Sequence, residues 1–189
     1  MKHDTILTQP VVETTRFHLR PLVPSDAGLI ALHTGDVRVA RMTGSIPHPL
    51  PPGVTEAYIA RVRDAGRDES AWAMDATKCG GAEVMGVVLL KHVDKDVSEI
   101  GYWVAPQFWN TGIASEAVRG MIEANPLSSR AIYATVFQEN SASARVLTNC
   151  GFQYLGDAEG FCVARKATLP IWTYSYKPAP QDPAGNKPD

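Results

Sequence analysis

The chain has 189 residues, 44% of them hydrophobic and 20% charged, with a formal net charge of -2. That length can bury one sizeable core but not two ordinary domains, and the near-neutral charge gives no global attraction for nucleic acid or an anionic membrane. Cys79, Cys150 and Cys162 are odd in number and lack the paired spacing of a zinc site, so they predict reduced thiols in a cytoplasmic protein, and no apolar run is long enough to span a bilayer.

Residues 1–12 are polar around Met1 to Thr5 and meet Pro10, which predicts a loose leader ahead of a domain over residues 13–176. Arg16 to Leu22 alternates apolar and polar residues, as a half-buried first strand does. Ser25-Asp26 then offers an N-cap for a helix carrying Leu29, Ile30, Leu32 and His33, which Gly35-Asp36 ends. Pro47, Pro49, Pro51 and Pro52 hold Ile46 to Gly53 in an ordered loop, and helical spacing returns from Thr55 to about Ala65.

Three short strands follow, Ala71–Met74, Val84–Leu90 and Ser98–Val104, joined by polar turns as in an antiparallel meander. The period then changes. Ile113, Ala114, Ala117, Val118, Met121 and Ile122 share one side of a helix that Asn125-Pro126 terminates. A strand at Ala131–Val136, a helix from Asn140 to Cys150, and strands at Phe152–Leu155 and Ile171–Tyr176 complete the order, and residues 177–189, rich in Pro, Gly, Asn and Asp, predict a disordered tail. The fold class is α/β (α+β): one domain with a mixed, mostly antiparallel sheet of six or seven strands, a central parallel pair, and helices on both faces.

The segment Val104 to Ala117 carries the chemistry. A strand runs through a short loop into a helix that begins near Gly112, so unpaired helix-start amides converge on one point, a geometry that binds anions. Gly112 permits close backbone approach, Ala114 keeps the entrance open, and Ser115 adds a hydroxyl. The loop has neither the glycine and lysine spacing of a P-loop nor the three-glycine dinucleotide fingerprint.

Val104 to Ala117 resembles the acyl-CoA-binding motif of the GNAT acetyltransferases, in which a basic or amide residue precedes two others, a glycine, any residue, and Gly or Ala. Here that window is Trp109-Asn110-Thr111-Gly112-Ile113-Ala114. Glu13 to Leu22, Glu99 to Trp103, and Asn140 to Leu147 with Cys150-Gly151-Phe152 are similar, in order, to the other family segments. The branch most similar is that of the ribosomal-protein N-terminal acetyltransferases RimJ and RimL.

The resemblance implies an acetyl-CoA-dependent N-acetyltransferase that uses acetyl-CoA as co-substrate, without a metal. Its partner is an amine acceptor, a protein N-terminus or a small amine; no direct nucleic-acid contact and no membrane are implied, and the chain is a monomer or a homodimer. Trp103 and Val104 are implied to offer backbone groups to the pantetheine arm. Trp109, Asn110, Thr111, Gly112, Ile113, Ala114 and Ser115 are implied to cradle the pyrophosphate, and Asn140 to hold the pantetheine or to cap its helix.

Two positions depart from the family pattern. Trp109 stands where a basic or amide residue is usual, which leaves backbone amides, with Arg145 or Arg119, to meet the phosphates. Leu147 stands where many relatives have a proton-donating Tyr, so Ser143 becomes the hydroxyl implied at the CoA sulfur. Glu99 is the candidate general base. Cys150, at a helix C-terminus where the dipole raises a thiol pKa, reads as structural. These departures keep open a second class, a non-catalytic acyl-CoA-binding or sensing protein.

Overall fold

Eight strands form one sheet in the order β1-β2-β3-β4-β5-β6-β8-β7 in the computed structural model, which describes residues 9–179. They are β1 (Val12–Glu13), β2 (His18–Pro21), β3 (Glu69–Asp75), β4 (Gly86–Asp94), β5 (Val97–Val104), β6 (Ala131–Phe137), β7 (Gln153–Cys162) and β8 (Ala167–Tyr176). The helices are α1 (Ala27–Thr34), α2 (Val37–Ala40), α3 (Val54–Arg63), α4 (Ile113–Ala124) and α5 (Ser141–Asn149). Neighbouring strands are antiparallel except β5 and β6, which run parallel.

The sheet is one strand larger than the upper expectation of seven. The extra strand is the two-residue β1, where Val12 pairs with Leu19. Just before it, in the segment read as leader, Gln9 Nε2 donates to the Ala71 carbonyl at 2.7 Å and the Trp72 indole donates to the Pro10 carbonyl at 2.8 Å. The disordered tail is expected on residues that lie, from 180 onward, outside the described residues, as do residues 1–8 of the leader.

Period-two alternation assigns the two faces. Trp72, Met74, Val88, Leu90, Ile100 and Ile132 pack with Ala117, Val118 and Met121 of α4 and Leu147 of α5. The alternate residues Ala71, Ala73 and Val87 pack with Ile30 of α1 and Ile59 and Val62 of α3. Helices thus cover both faces. On α4 the buried set Ile113, Ala117, Val118, Met121 and Ile122 recurs at helical spacing.

A buried ion network ties the first helix to the sheet. Arg20 donates through Nε to Asp75 at 2.6 Å and through Nη1 and Nη2 to Asp26 at 2.9 Å, and Asp26 also accepts from the Val23 amide at 2.8 Å. Asp26 is fully buried, so its charge depends on these donors.

The β5–β6 pair is pinned at one end. Asn125, left-handed at the C-terminus of α4, bonds Ser129 both ways at 3.0 Å, and the Ser129 hydroxyl meets that of buried Ser98 on β5. Pairing between the strands runs from Val97–Ala131 to Glu99–Tyr133 and stops there. Beyond that point the sheet is split.

Candidate active site

The split exposes backbone on one side of β5. In an antiparallel ladder the bonded residues alternate. Ala105 donates its amide to the Met85 carbonyl at 2.9 Å, so the backbone groups of Trp103 also face β4, and those of Tyr102 and Val104 face the opening. The backbone groups expected from Trp103 are therefore turned away, although the residue borders the cleft and its ring packs on the α1–α3 side near His33. The Val104 carbonyl accepts from the Trp109 indole N–H at 2.7 Å, which leaves the Val104 amide and both backbone groups of Tyr102 on the open side.

At the end of β5 the chain makes a turn over Pro106–Phe108 and enters α4 through two left-handed residues, Asn110 at φ 61° and Gly112 at φ 80°. Asn tolerates this region and Gly adopts it freely. Gly112 is the N-cap and brings no side chain, so the amides of Ile113, Ala114 and Ser115 lack a side-chain cap and open on the cleft. Arg16 braces the loop from its outer side, donating to the Thr111 carbonyl at 2.8 Å and to Glu116 at 2.6 Å.

Two clefts meet at the split. One, of about 760 Å³, runs along the loop and the start of α4, with Trp103, Val104, Trp109, Asn110, Gly112, Ile113, Ala114, Ser115, Asn140, Ser143 and Arg145 in its wall. Arg38 and Arg41 border it from α2 and its C-cap. The other, of about 600 Å³, lies on the α1–α3 face. Both volumes are in the range of small-ligand sites. Tyr102, Trp103, Asn140, Ser143, Met42 and Thr43 border both.

Tyr102 and Ser143 mark the junction. Their hydroxyl oxygens are 2.8 Å apart, and the Tyr102 hydroxyl also lies 3.2 Å from the Ser143 carbonyl. Burial pushes the Tyr102 phenol far above its ordinary range, so it stays protonated and can donate. Asn140 fixes the serine by accepting from the Ser143 amide at 3.2 Å as the α5 N-cap. Leu147 is fully buried in the core one turn further on.

The second cleft is apolar over much of its wall, with Ile30, Leu50, Leu89 and Phe161, and ionic at one end. There Glu69, Lys91 and Glu99 stand opposite one another on β3, β4 and β5, hence on one face. The Thr135 hydroxyl donates to Glu99 at 3.1 Å. Tyr58 of α3 is pushed up by burial and by the adjacent Glu69 carboxylate, to which it donates. The second Glu69 oxygen, Oε1, is buried without a hydrogen-bond partner, with Arg61 Nη2 at 3.9 Å.

Most residues singled out in the sequence thus share one wall. Thr111 braces the loop from outside it, and Arg119 lies away from it. His48, in the Pro-rich loop, is outside both linings, although its neighbour Pro47 is within. Cys150 donates its thiol to the Ser115 carbonyl at 3.5 Å, and burial raises its pKa, consistent with a packing role. Among the described residues no three His, Cys, Asp or Glu side chains are grouped to hold a metal, and no helix is long and apolar enough to cross a membrane.

Sequence reasoning passed over Tyr102 and Arg38. In the sequence Tyr102 reads as a strand aromatic that packs or walls an acceptor cleft, yet it is two residues from Val104 and so shares its edge of β5. Arg38 belongs to a four-residue helix with too few turns for a periodic signal.

Residues 16–153 match the family described as the Acetyltransferase (GNAT) domain. The uncharacterized N-acetyltransferase YoaA of Bacillus subtilis (strain 168) is 29% identical over 157 residues, covering 78% of this chain and 85% of YoaA. Mycobacterium smegmatis RimJ in complex with CoA-disulfide superposes at a TM-score of 0.76, with 19% identity over 89% of this chain and 87% of RimJ. The Microcin C7 self immunity acetyltransferase MccE, in complex with acetyl-CoA and AMP, gives 0.73 at 15% identity, over 86% of this chain and 92% of MccE. The chain belongs to the GNAT acetyltransferase family, and with it comes an acyltransferase activity that uses acetyl-CoA as co-substrate.

Proposed function

We propose that this GNAT acetyltransferase holds acetyl-CoA in the cleft along the β5–α4 loop and an amine acceptor in the cleft on the α1–α3 face, with the thioester at their junction. The observation that carries the reading is that both clefts meet at the Tyr102–Ser143 pair.

The pyrophosphate sits on the free amides of Ile113, Ala114 and Ser115, with Asn110 and Gly112 shaping the turn, as suits an anion at a helix start. The pantetheine arm lies in the β5–β6 split and bonds the Val104 amide and the backbone of Tyr102, as an added strand would. Asn140 orients Ser143 and borders the arm, and Arg145 lies along the same wall.

The acceptor is a primary amine, an α-amino group at a protein N-terminus or a small amine. Its neutral nitrogen attacks the thioester carbonyl carbon, the C–S bond breaks, and the thiolate leaves. One hydroxyl of the Tyr102–Ser143 pair donates to the departing sulfur while the other orients it. The proton shed by the new ammonium passes to Glu99 through water. An α-amino group, with a pKa of about 7.7–8.0, is partly neutral near pH 7 and needs little help, whereas a lysine near 10.4 needs more.

Thiol release from acetyl-CoA, measured across a panel of small amines and peptides with mass detection of the acetylated product, tests the reading. Release stimulated by a primary amine and abolished when that amine is blocked supports it. Tight CoA binding with no stimulation by any amine in the panel would sink it.

A further inference from the structure

The cleft wall around the free α4 amides carries no cation from its own loop: Trp109, Asn110 and Thr111 are all neutral. A cation does reach that wall from elsewhere. Arg38 of α2 lies over the Trp109 ring, its guanidinium carbon 5.6 Å from the ring centre, and both residues line the cleft with Gly112, Ala114 and Ser115. This contact is held from both sides. The indole is held by its bond to the Val104 carbonyl, and the guanidinium is held by Asp36, which accepts from Nε at 3.1 Å and from Nη2 at 2.7 Å.

This arrangement uses one edge of the guanidinium and leaves the Nη1 edge outside the clamp. An Arg held over an aromatic face and bonded along one edge to a carboxylate keeps its remaining donors in a defined direction. The Asp36 carboxylate also spends part of the positive charge, so what Nη1 offers is one directed, charge-assisted bond rather than a diffuse basic patch.

We propose that Arg38, laid on Trp109 and clamped by Asp36, is a phosphate ligand of this enzyme, donating through Nη1 to the pyrophosphate of CoA opposite the α4 amides. Trp109 then acts as a platform and supplies no polar contact of its own to the phosphate. The assignment rests on the placement of CoA in this cleft given above, and it adds a binding element from outside the loop.

Calorimetric titration of the full chain with CoA and with 3'-dephospho-CoA tests it, using wild type, Arg38→Met and Arg38→Ala. Met keeps apolar cover over the indole and removes the charge, so it separates phosphate binding from support of the loop. A charge-assisted hydrogen bond corresponds to a loss of about tenfold or more in affinity. The expected result is that loss in both variants, equally for the two ligands, with a shallower dependence on salt than in wild type.

Trp109→Arg introduced into the Arg38→Met chain is expected to restore binding, since it supplies the cation from the loop itself. Wild-type affinity in Arg38→Met would overturn the proposal, and so would a loss confined to CoA, which would assign Arg38 to the 3'-phosphate. Failure of wild type to bind either ligand would instead remove the placement of CoA on which the proposal stands.

Discussion

The Tyr102 hydroxyl and the Ser143 Oγ are 2.8 Å apart, one carried near the C-terminal end of β5 and the other by the first turn of α5. Strand and helix lie on opposite sides of the split, so this bond spans the opening at the point where the two clefts join. Two hydroxyls in contact can serve one leaving atom together, one donating to it while the other orients the donor.

Tyr102→Phe and Ser143→Ala are each expected to lower kcat by about a hundredfold or more, with KM for acetyl-CoA changed only a few-fold. Groups that act as a unit are not additive, so the double variant should be little slower than the worse single one. Steady-state kinetics of the three variants checks this, and losses that multiply would separate the two roles.

The rate should rise with pH and hold. Deprotonation of an α-amino acceptor raises the reactive fraction up to roughly pH 8–9. Because burial lifts the Tyr102 phenol far above its ordinary range, the donor keeps its proton through pH 10. A kcat profile that falls near pH 10 in wild type, and not in Tyr102→Phe, would contradict that assignment.

Gly112→Ala should damage cofactor binding more than chemistry. At φ 80° a Cβ costs about 1–2 kcal/mol, and its nearest neighbour would be the Arg16 guanidinium at 3.4 Å. Relief of that strain turns the α4 amides, so KM for acetyl-CoA is expected to rise about tenfold, with kcat at saturation largely kept. Asn110→Gly, which suits the same backbone region, should bind as wild type does.

Arg20→Ala leaves the carboxylates of Asp26 and Asp75 without their shared cation, at side-chain exposures of 0% and 7%. Breaking a buried pair in this way costs about 3–5 kcal/mol. Urea unfolding near neutral pH should show the loss without any change in the acetyl-CoA site.

The same network gives wild type an acid-sensitive term. Burial works to raise the Asp75 pKa, but bonds from Thr77 and Arg20 outweigh it and hold the carboxyl below its ordinary value. A carboxylate lowered on folding contributes stability that is complete above its unfolded pKa, and this is lost as pH falls through the folded value. Wild type should therefore lose stability below about pH 4. Arg20→Ala, measured by urea unfolding over the same range, should lose less there.

Much of the architecture was legible because its signals are local. The apolar run of Val84–Leu90 between polar turns, the helical spacing from Ile113 to Ile122, and Asn140 at a helix start each settle within a dozen residues. The β7–β8 hairpin was legible only at its base, Phe152–Leu155 and Ile171–Tyr176; its outer part was not, since Phe161 is exposed and gives no buried stripe, and Pro170 lies in β8 just where β6 pairing has ended. β1 was hidden by its two-residue length. At the site, the loop from Trp109 to Ser115 could be read along the chain. Arg38 on Trp109 and Tyr102 on Ser143 could not, because each joins elements that only the folded topology brings together.

The three-rung pairing of β5 with β6 has a thermodynamic corollary. A molecule that bonds the Val104 amide and the Tyr102 backbone supplies rungs that the chain does not provide for itself, and it does so only in the folded state. Fold stability is then linked to cofactor concentration, growing by about 2.7 kcal/mol at a hundredfold excess over Kd. The amide protons of Tyr102 and Val104 become the most direct reporters of occupancy, exchanging with solvent when the split is open and slowing when it is filled.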